Sequence, residues 1–161
     1  MDKRKPSSIL IIGLGNPLRE DDGIGVHILD ELRRIYTFSD KIIFIEGRLF
    51  GISTLTLWQN FDNVIIIDAL EMGKEGGEFI WEDFFSLSFK DTPISSLSIH
   101  QPRVKEIITL AYKLNYLPKK CWILGVQPLA LGYKEELSPV LKEKLPEILE
   151  FLKKKINLLS L

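Results

Sequence analysis

Residues 8–13, SILIIG, form a continuous apolar run rich in β-branched side chains, the pattern of a strand buried on both faces. From Asp22 the period changes. Ile24, Ile28, Leu29, Leu32 and Ile35 recur on one face of a helix. KIIFIEG (41–47) reads as a second strand and GISTLTLWQN (51–60) as a short helix. NVIIIDAL (63–70) is a third strand, apolar until it reaches Asp68. GGEFIWED (76–83) is a fourth and less apolar one, close enough behind the third to run antiparallel. Residues 84–99 show no period and are rich in Ser and Thr. HQPRVKEIITLAYKLNYL (100–117) predicts a helix with Pro102 in its first turn. KKCWILGVQ (119–127) is a fifth strand, and SPVLKEKLPEILEFLKKKINLL (138–159) a closing amphipathic helix that Pro146 is expected to kink.

Strands alternating with helices predict an α/β fold, a three-layer α/β/α sandwich around a mostly parallel sheet. Ligands of such sheets bind beyond the carboxyl ends of the strands, where the strand order reverses. The loops after the first and third strands carry Asp22 and Asp68.

Composition narrows the class. A chain of 161 residues with 45% hydrophobic side chains is sized for one domain, 1–161, with residues 1–7 (MDKRKPS) as a flexible arm. A net charge of −1 gives no basic face for nucleic acid or an anionic membrane. No apolar run approaches the roughly 20 residues of a membrane span. The single cysteine, Cys121, excludes an internal disulfide and suits a reducing cytoplasm.

The stretch ILIIGLGNPLREDDGIGVHILDEL (9–32) sets two signals against each other. A glycine turn after a strand suggests phosphate binding, whereas Glu20, Asp21 and Asp22 would repel a phosphate. The frame from Gly13 lacks the third glycine of G-x-G-x-x-G, Pro17 interrupts it, and no G-K-[ST] follows. The acids are the truer signal. Gly13 and Gly15 serve a sharp backbone turn. A non-enzymatic nucleotide-binding regulatory domain stays as one alternative.

Asp22 has an ordinary reading as an acid at a helix start, but Asp21 can fill that role and leave Asp22 spare. Asp68 follows four apolar residues, so a carboxylate there needs a partner or a metal. At a helix N-terminus His100 is favoured as the neutral imidazole that a metal requires. Two carboxylates and an imidazole suit nickel, zinc or iron, with positions left for water or substrate. Cys121, Trp58, Trp81 and Trp122 read as packing residues, and His27 as structural or surface. Glu20 reads as a solvated or supporting charge, and Lys153 to Lys155 as a basic helix end.

IIGLGNP (11–17) resembles the start of bacterial peptidyl-tRNA hydrolases, an esterase alternative, but their T-R-H-N motif does not follow. The longer GLGNPLREDDGIGVHILDEL (13–32) resembles the hydrogenase maturation proteases, and so, in order, do NVIIIDAL, SIHQPRV (98–104) and LGVQPLALGYKEELSP (124–139). That resemblance implies a five-stranded sheet with one antiparallel strand. It also implies a C-terminal processing endopeptidase acting on a nickel–iron hydrogenase large-subunit precursor after nickel insertion. The metal-binding and catalytic positions it implies are Asp22, Asp68 and His100. The nickel belongs to the precursor, and zinc or another divalent ion would take the site in isolation. Asn16, Glu46 and Arg48 are expected as substrate-binding positions, with a solvated loop arginine as the ordinary reading of Arg48. EGRLFG (46–51) departs from the family's Asp-Gly-Gly-Thr-like segment by carrying Glu46 and Arg48.

Overall fold

The computed structural model describes residues 7–47, 55–84 and 102–161, without the side chains of 102–105 and 107. His100 and Arg48 lie outside the described residues. The elements in chain order are β1 (Ile9–Gly13), α1 (Ile24–Ile35), β2 (Ile42–Glu46), β3 (Asn63–Ala69), β4 (Phe79–Asp83), α2 (Pro102–Lys113), β5 (Lys120–Val126) and α3 (Pro139–Leu159). The described residues also include the 3-10 turns Glu20–Gly23 and Trp58–Asn60. The second is the described end of the segment expected as a short helix.

The five strands form one sheet in the order β2-β1-β3-β5-β4. Ile11 pairs with Phe44 on one side and Ile65 on the other, both in parallel, and Ile66 pairs in parallel with Ile123. β4 alone runs antiparallel, Trp81 opposite Leu124. The expected fold class is the one observed.

Strand alternation builds two cores. Ile9, Ile11, Ile65, Ile67, Leu124 and Val126 face α1 and α3, where Ile28, Leu29, Leu32, Ile148 and Leu152 are fully or nearly fully buried. Leu10, Ile12, Val64, Ile66, Cys121 and Ile123 face the opposite layer, which contributes Trp58, Ile108 and Ala111. Each such side chain contributes about 1.5–3 kcal/mol on burial, which is what holds helices to both faces.

Several expectations need adjustment. α2 ends at Lys113 and not at Leu117, because Asn115 turns left-handed (φ 60°) and closes the helix. α3 runs unbroken through Pro146 to Leu159. Lys153 and Lys155 do not sit in the last helical turn. Lys153 lies 4.5 Å from the ring centres of both Tyr36 and Phe38, and Lys155 lies over Trp81 and Phe151. These are cation–π contacts along the helix, not a complement to its macrodipole. Trp58 is fully buried, and Trp81 stacks on Trp122 with centroids 5.3 Å apart, as packing residues should.

Candidate active site at the carboxyl end of the sheet

β1 leads through α1 to β2 on one side, while β3 takes the other side of β1. The strand order therefore reverses between β1 and β3, and their carboxyl ends flank the crevice where α/β ligands bind. The chain leaves β1 by crossing towards β3, with the Leu14 N–H donating to the Ile67 carbonyl at 2.8 Å. The Glu20–Gly23 turn then packs against β3.

Glycines make this approach possible. Gly15 has φ +107°, and a Cβ there would run into the Asp22 carbonyl oxygen. At Gly25, in the first turn of α1, a Cβ would collide with the backbone of Leu14 and Ile67. The glycines let helix and turn backbones lie directly on the strand ends. Packing, and not a phosphate, accounts for them.

Asp22 is half-buried in the 3-10 turn, and its Oδ2 accepts the Asn16 N–H at 2.8 Å. Asn16 is exposed. Its Oδ1 accepts the Leu18 N–H at 2.9 Å and its carbonyl accepts the Arg19 N–H at 3.0 Å. Asp68 is completely buried near the end of β3, and its Oδ1 accepts the Ala69 N–H at 2.9 Å. Strand alternation puts Asp68 on the face of Val64 and Ile66. That layer contains Ile108 and Ala111 of α2. α2 begins at Pro102, two residues after His100. Glu46 is the half-buried last residue of β2, opposite Gly13 of β1. The structure thus brings Asn16, Asp22, Glu46 and Asp68 to one sheet edge. Among the described residues no three His, Cys, Asp or Glu side chains gather closely enough to hold a metal, and the third expected ligand is outside them.

The ordinary reading of Asp21 as a cap on α1 is overturned. No side chain caps that helix or the turn before it. Asp21 is fully buried and points to the loop between β5 and α3. Its Oδ2 accepts the N–H groups of Leu129 and Ala130, each at 2.9 Å, and the Ser138 hydroxyl at 2.8 Å. Its Oδ1 accepts the Ser138 N–H at 2.7 Å. Arg19 Nη2 donates to the Leu131 carbonyl at 2.7 Å, and its guanidinium lies 5.0 Å from the Tyr133 ring centre. Glu20, with φ 46°, donates its N–H to the Lys134 carbonyl at 2.8 Å. Its backbone is tied to the loop before α3.

Gln127 is a second residue whose role periodicity did not reveal. It is buried just past β5. Its Oε1 accepts from the Met72 and Lys74 N–H groups, and its Nε2 donates to Glu71 Oε1. It fixes the loop that follows Asp68. The available signal was an amide directly after a buried strand and before Pro128. His27 is half-buried in α1, as a structural residue. Cys121 is fully buried, and that burial pushes its thiol far above the usual range.

Two aspartates at the switch point of a mixed sheet place the chain among three-layer α/β proteins with a candidate site at the carboxyl ends of β1 and β3. The family is set by comparison. Residues 26–155 match the sequence model of the hydrogenase maturation protease family, HycI, and the chain belongs to that family. It is 29% identical over 140 residues to the hydrogenase expression/formation protein HupD of Bradyrhizobium diazoefficiens, covering 85% of this chain and 71% of that one. It is 29% identical over 147 residues to the hydrogenase 2 maturation protease of Escherichia coli, covering 88% and 86%. The chain spans 60% to 72% of the length of the HupD and HoxM relatives it matches. Among solved structures, the hydrogenase maturating endopeptidase HybD of Escherichia coli superposes with a TM-score of 0.77 at 25% identity, covering 93% of this chain and 92% of that one. The family assignment favours the maturation proteases over the nucleotide-binding and peptidyl-tRNA hydrolase alternatives that the opening glycines left open. No described helix is long and apolar enough to cross a membrane.

Proposed function

We propose that this chain is an endopeptidase that removes the C-terminal extension of a nickel–iron hydrogenase large-subunit precursor once nickel has been inserted. The observation that carries this reading is the convergence of the Asp22 turn and buried Asp68 at the β1/β3 switch point, in a chain of this family. Acids held at the carboxyl ends of strands beside a crevice are frequent members of functional sites. Asp22, Asp68 and His100 complete the coordination of the nickel that the precursor brings. The metal thus belongs to the substrate, and a precursor without it is not recognised. Nickel beside the scissile bond polarises its carbonyl and activates a water for attack. Zinc or another divalent ion takes the same three residues in the isolated protein. Asn16, Glu46 and Arg48 orient the tail around this centre, Arg48 through the planar fork that matches carboxylates and carbonyls.

The rim of the site suits a macromolecular substrate. Leu129, Leu131 and Tyr133 are 59%, 43% and 85% exposed, and Leu18, on the facing turn, is 56% exposed. Exposed apolar side chains gathered beside a site favour a protein partner. The same reading places the enzyme in the cytoplasm, where Cys121 stays reduced.

The test is incubation with a large-subunit precursor in nickel-loaded and nickel-free forms, followed by intact-mass measurement. Loss of the C-terminal segment from the loaded form alone is the expected result. Cleavage of both forms at equal rates would remove nickel from the recognition step, and cleavage of neither would refute the activity.

A further inference from the structure

We propose that Asp21 is a positioning residue for the proteolytic reaction. Its buried carboxylate clamps the N-terminus of α3 and the loop before it to the turn that carries Asp22. The inference rests on the proposed activity, and it assigns a role to an acid that is not a metal ligand in that proposal.

All four groups facing Asp21 are donors: three backbone N–H groups and the Ser138 hydroxyl. The hydroxyl's direction is fixed. Ser138 Oγ accepts the Leu141 N–H at 3.4 Å as the N-cap of α3, so its single proton goes to Asp21. Among the described residues Asp21 is thus met only by donors, at the positive end of a 21-residue helix, an arrangement that uses both acceptor oxygens of a carboxylate. An asparagine there would turn its NH2 group towards an N–H donor. The clamp is reciprocal, because the Asp21 N–H donates to the Ala130 carbonyl at 3.1 Å.

The consequence for the reaction is geometric. Asp22 follows Asp21 directly in the same 3-10 turn, and its Oδ2 accepts the Asn16 N–H. With residue 21 fixed by the helix and residue 22 by Asn16, the Asp22 carboxylate is held in place before substrate arrives. Misplacement of such a group by about 1 Å can cost on the order of 100-fold in rate.

The test compares Asp21→Asn, Ser138→Ala and Ser138→Thr in the full chain, reading precursor cleavage, thermal stability and amide exchange at Asn16. The Asn16 hydrogen bonds run to Asp22, Leu18 and Arg19, so its exchange reports transmission through the turn. Asp21→Asn is expected to lower kcat/KM by about 100-fold. Ser138→Ala, the milder change, is expected to lower it by about 10-fold and to speed Asn16 exchange selectively. Ser138→Thr, which keeps the cap and the hydroxyl, restores both. A Ser138→Ala variant with wild-type Asn16 protection overturns the proposal. So does one whose amides all lose protection in parallel, or one that loses Asn16 protection yet cleaves at the wild-type rate. Failure of the wild-type protein to cleave would instead refute the activity itself.

Discussion

Asn16 and Asp22 close the turn between β1 and α1 on itself, the Asn16 N–H donating to Asp22 Oδ2 at 2.8 Å. The bond needs an acceptor oxygen at position 22 but not a charge. Asp22→Asn can keep that oxygen and lose only the anion. The variant is therefore expected to stay folded, melting no more than a few degrees below the parent, an effect of about 1 kcal/mol or less. Precursor cleavage should drop by at least about 100-fold through loss of a ligand charge. Parallel melting curves and cleavage assays check this, and an unimpaired rate would remove Asp22 from the site.

Gly15 supports the same turn from beneath. Its φ of +107° and the Asp22 carbonyl against its missing side chain leave no room for a Cβ. Gly15→Ala is expected to destabilise by about 1–3 kcal/mol, the range for a strained backbone position. The contact falls on Asp22 itself, so cleavage should fall by more than the loss of folded protein accounts for. Urea denaturation and cleavage at matched folded fraction separate the two.

The fold was legible because periodicity reports burial. β1 and β3 are apolar on both faces, since helices cover both; the short gap before the fourth strand allowed a reversal, and the family resemblance implied a five-stranded sheet with one antiparallel strand. The positions of Asp22 and Asp68 at the carboxyl ends of β1 and β3 were legible too. Asp68 stands out because it ends the apolar run Val64–Ile67, and an acid there conflicts with burial. Asp21 was misassigned because its partners, Leu129, Ala130 and Ser138, are more than 100 residues away. Local reasoning sees an acid before a helix and assigns it to that helix, whereas the helix it serves is α3. Lys153 and Lys155 failed for the same reason. Their aromatic partners, apart from Phe151, come from distant elements.

At the opposite end of the sheet, Asp62 ties three segments together. It accepts from Lys119 Nζ at 2.8 Å and from the Ser8 N–H at 3.0 Å. The Lys119 bond first, and then the Ser8 N–H, hold its carboxyl below the usual range. A depressed folded pKa stabilises above the unfolded value of about 3.9 and loses that contribution as pH falls through the folded pKa. Asp62 is partly exposed, so solvent screening limits the contribution to about 1 kcal/mol or less. Asp62→Asn should therefore melt lower than the parent at pH 7, and the gap should close as pH drops below the unfolded value. A gap that persisted unchanged in acid would assign it to lost packing and not to the charge.

Cys121 offers the sharpest separation of this reaction from thiol proteolysis. A cysteine peptidase needs an accessible thiolate with a lowered pKa. Here burial first, with the nearby charge of Asp83 second, pushes the thiol upward, and Cys121 packs among Leu10, Val64 and Ile123 on the sheet face. The folded protein thus holds a protonated, enclosed sulfur across the neutral range, and a thiol reagent reaches it only when the fold opens. Alkylation at pH 8 should be slow in buffer, rise with urea in step with unfolding, and be complete in denatured protein. Cys121→Ala removes one buried sulfur, at a cost of about 1 kcal/mol on the scale of a small core deletion, and should retain precursor cleavage at near the parental rate. Rapid modification of the native protein, or loss of cleavage in a folded Cys121→Ala variant, would make the sulfur a participant and displace the aspartates from the chemistry.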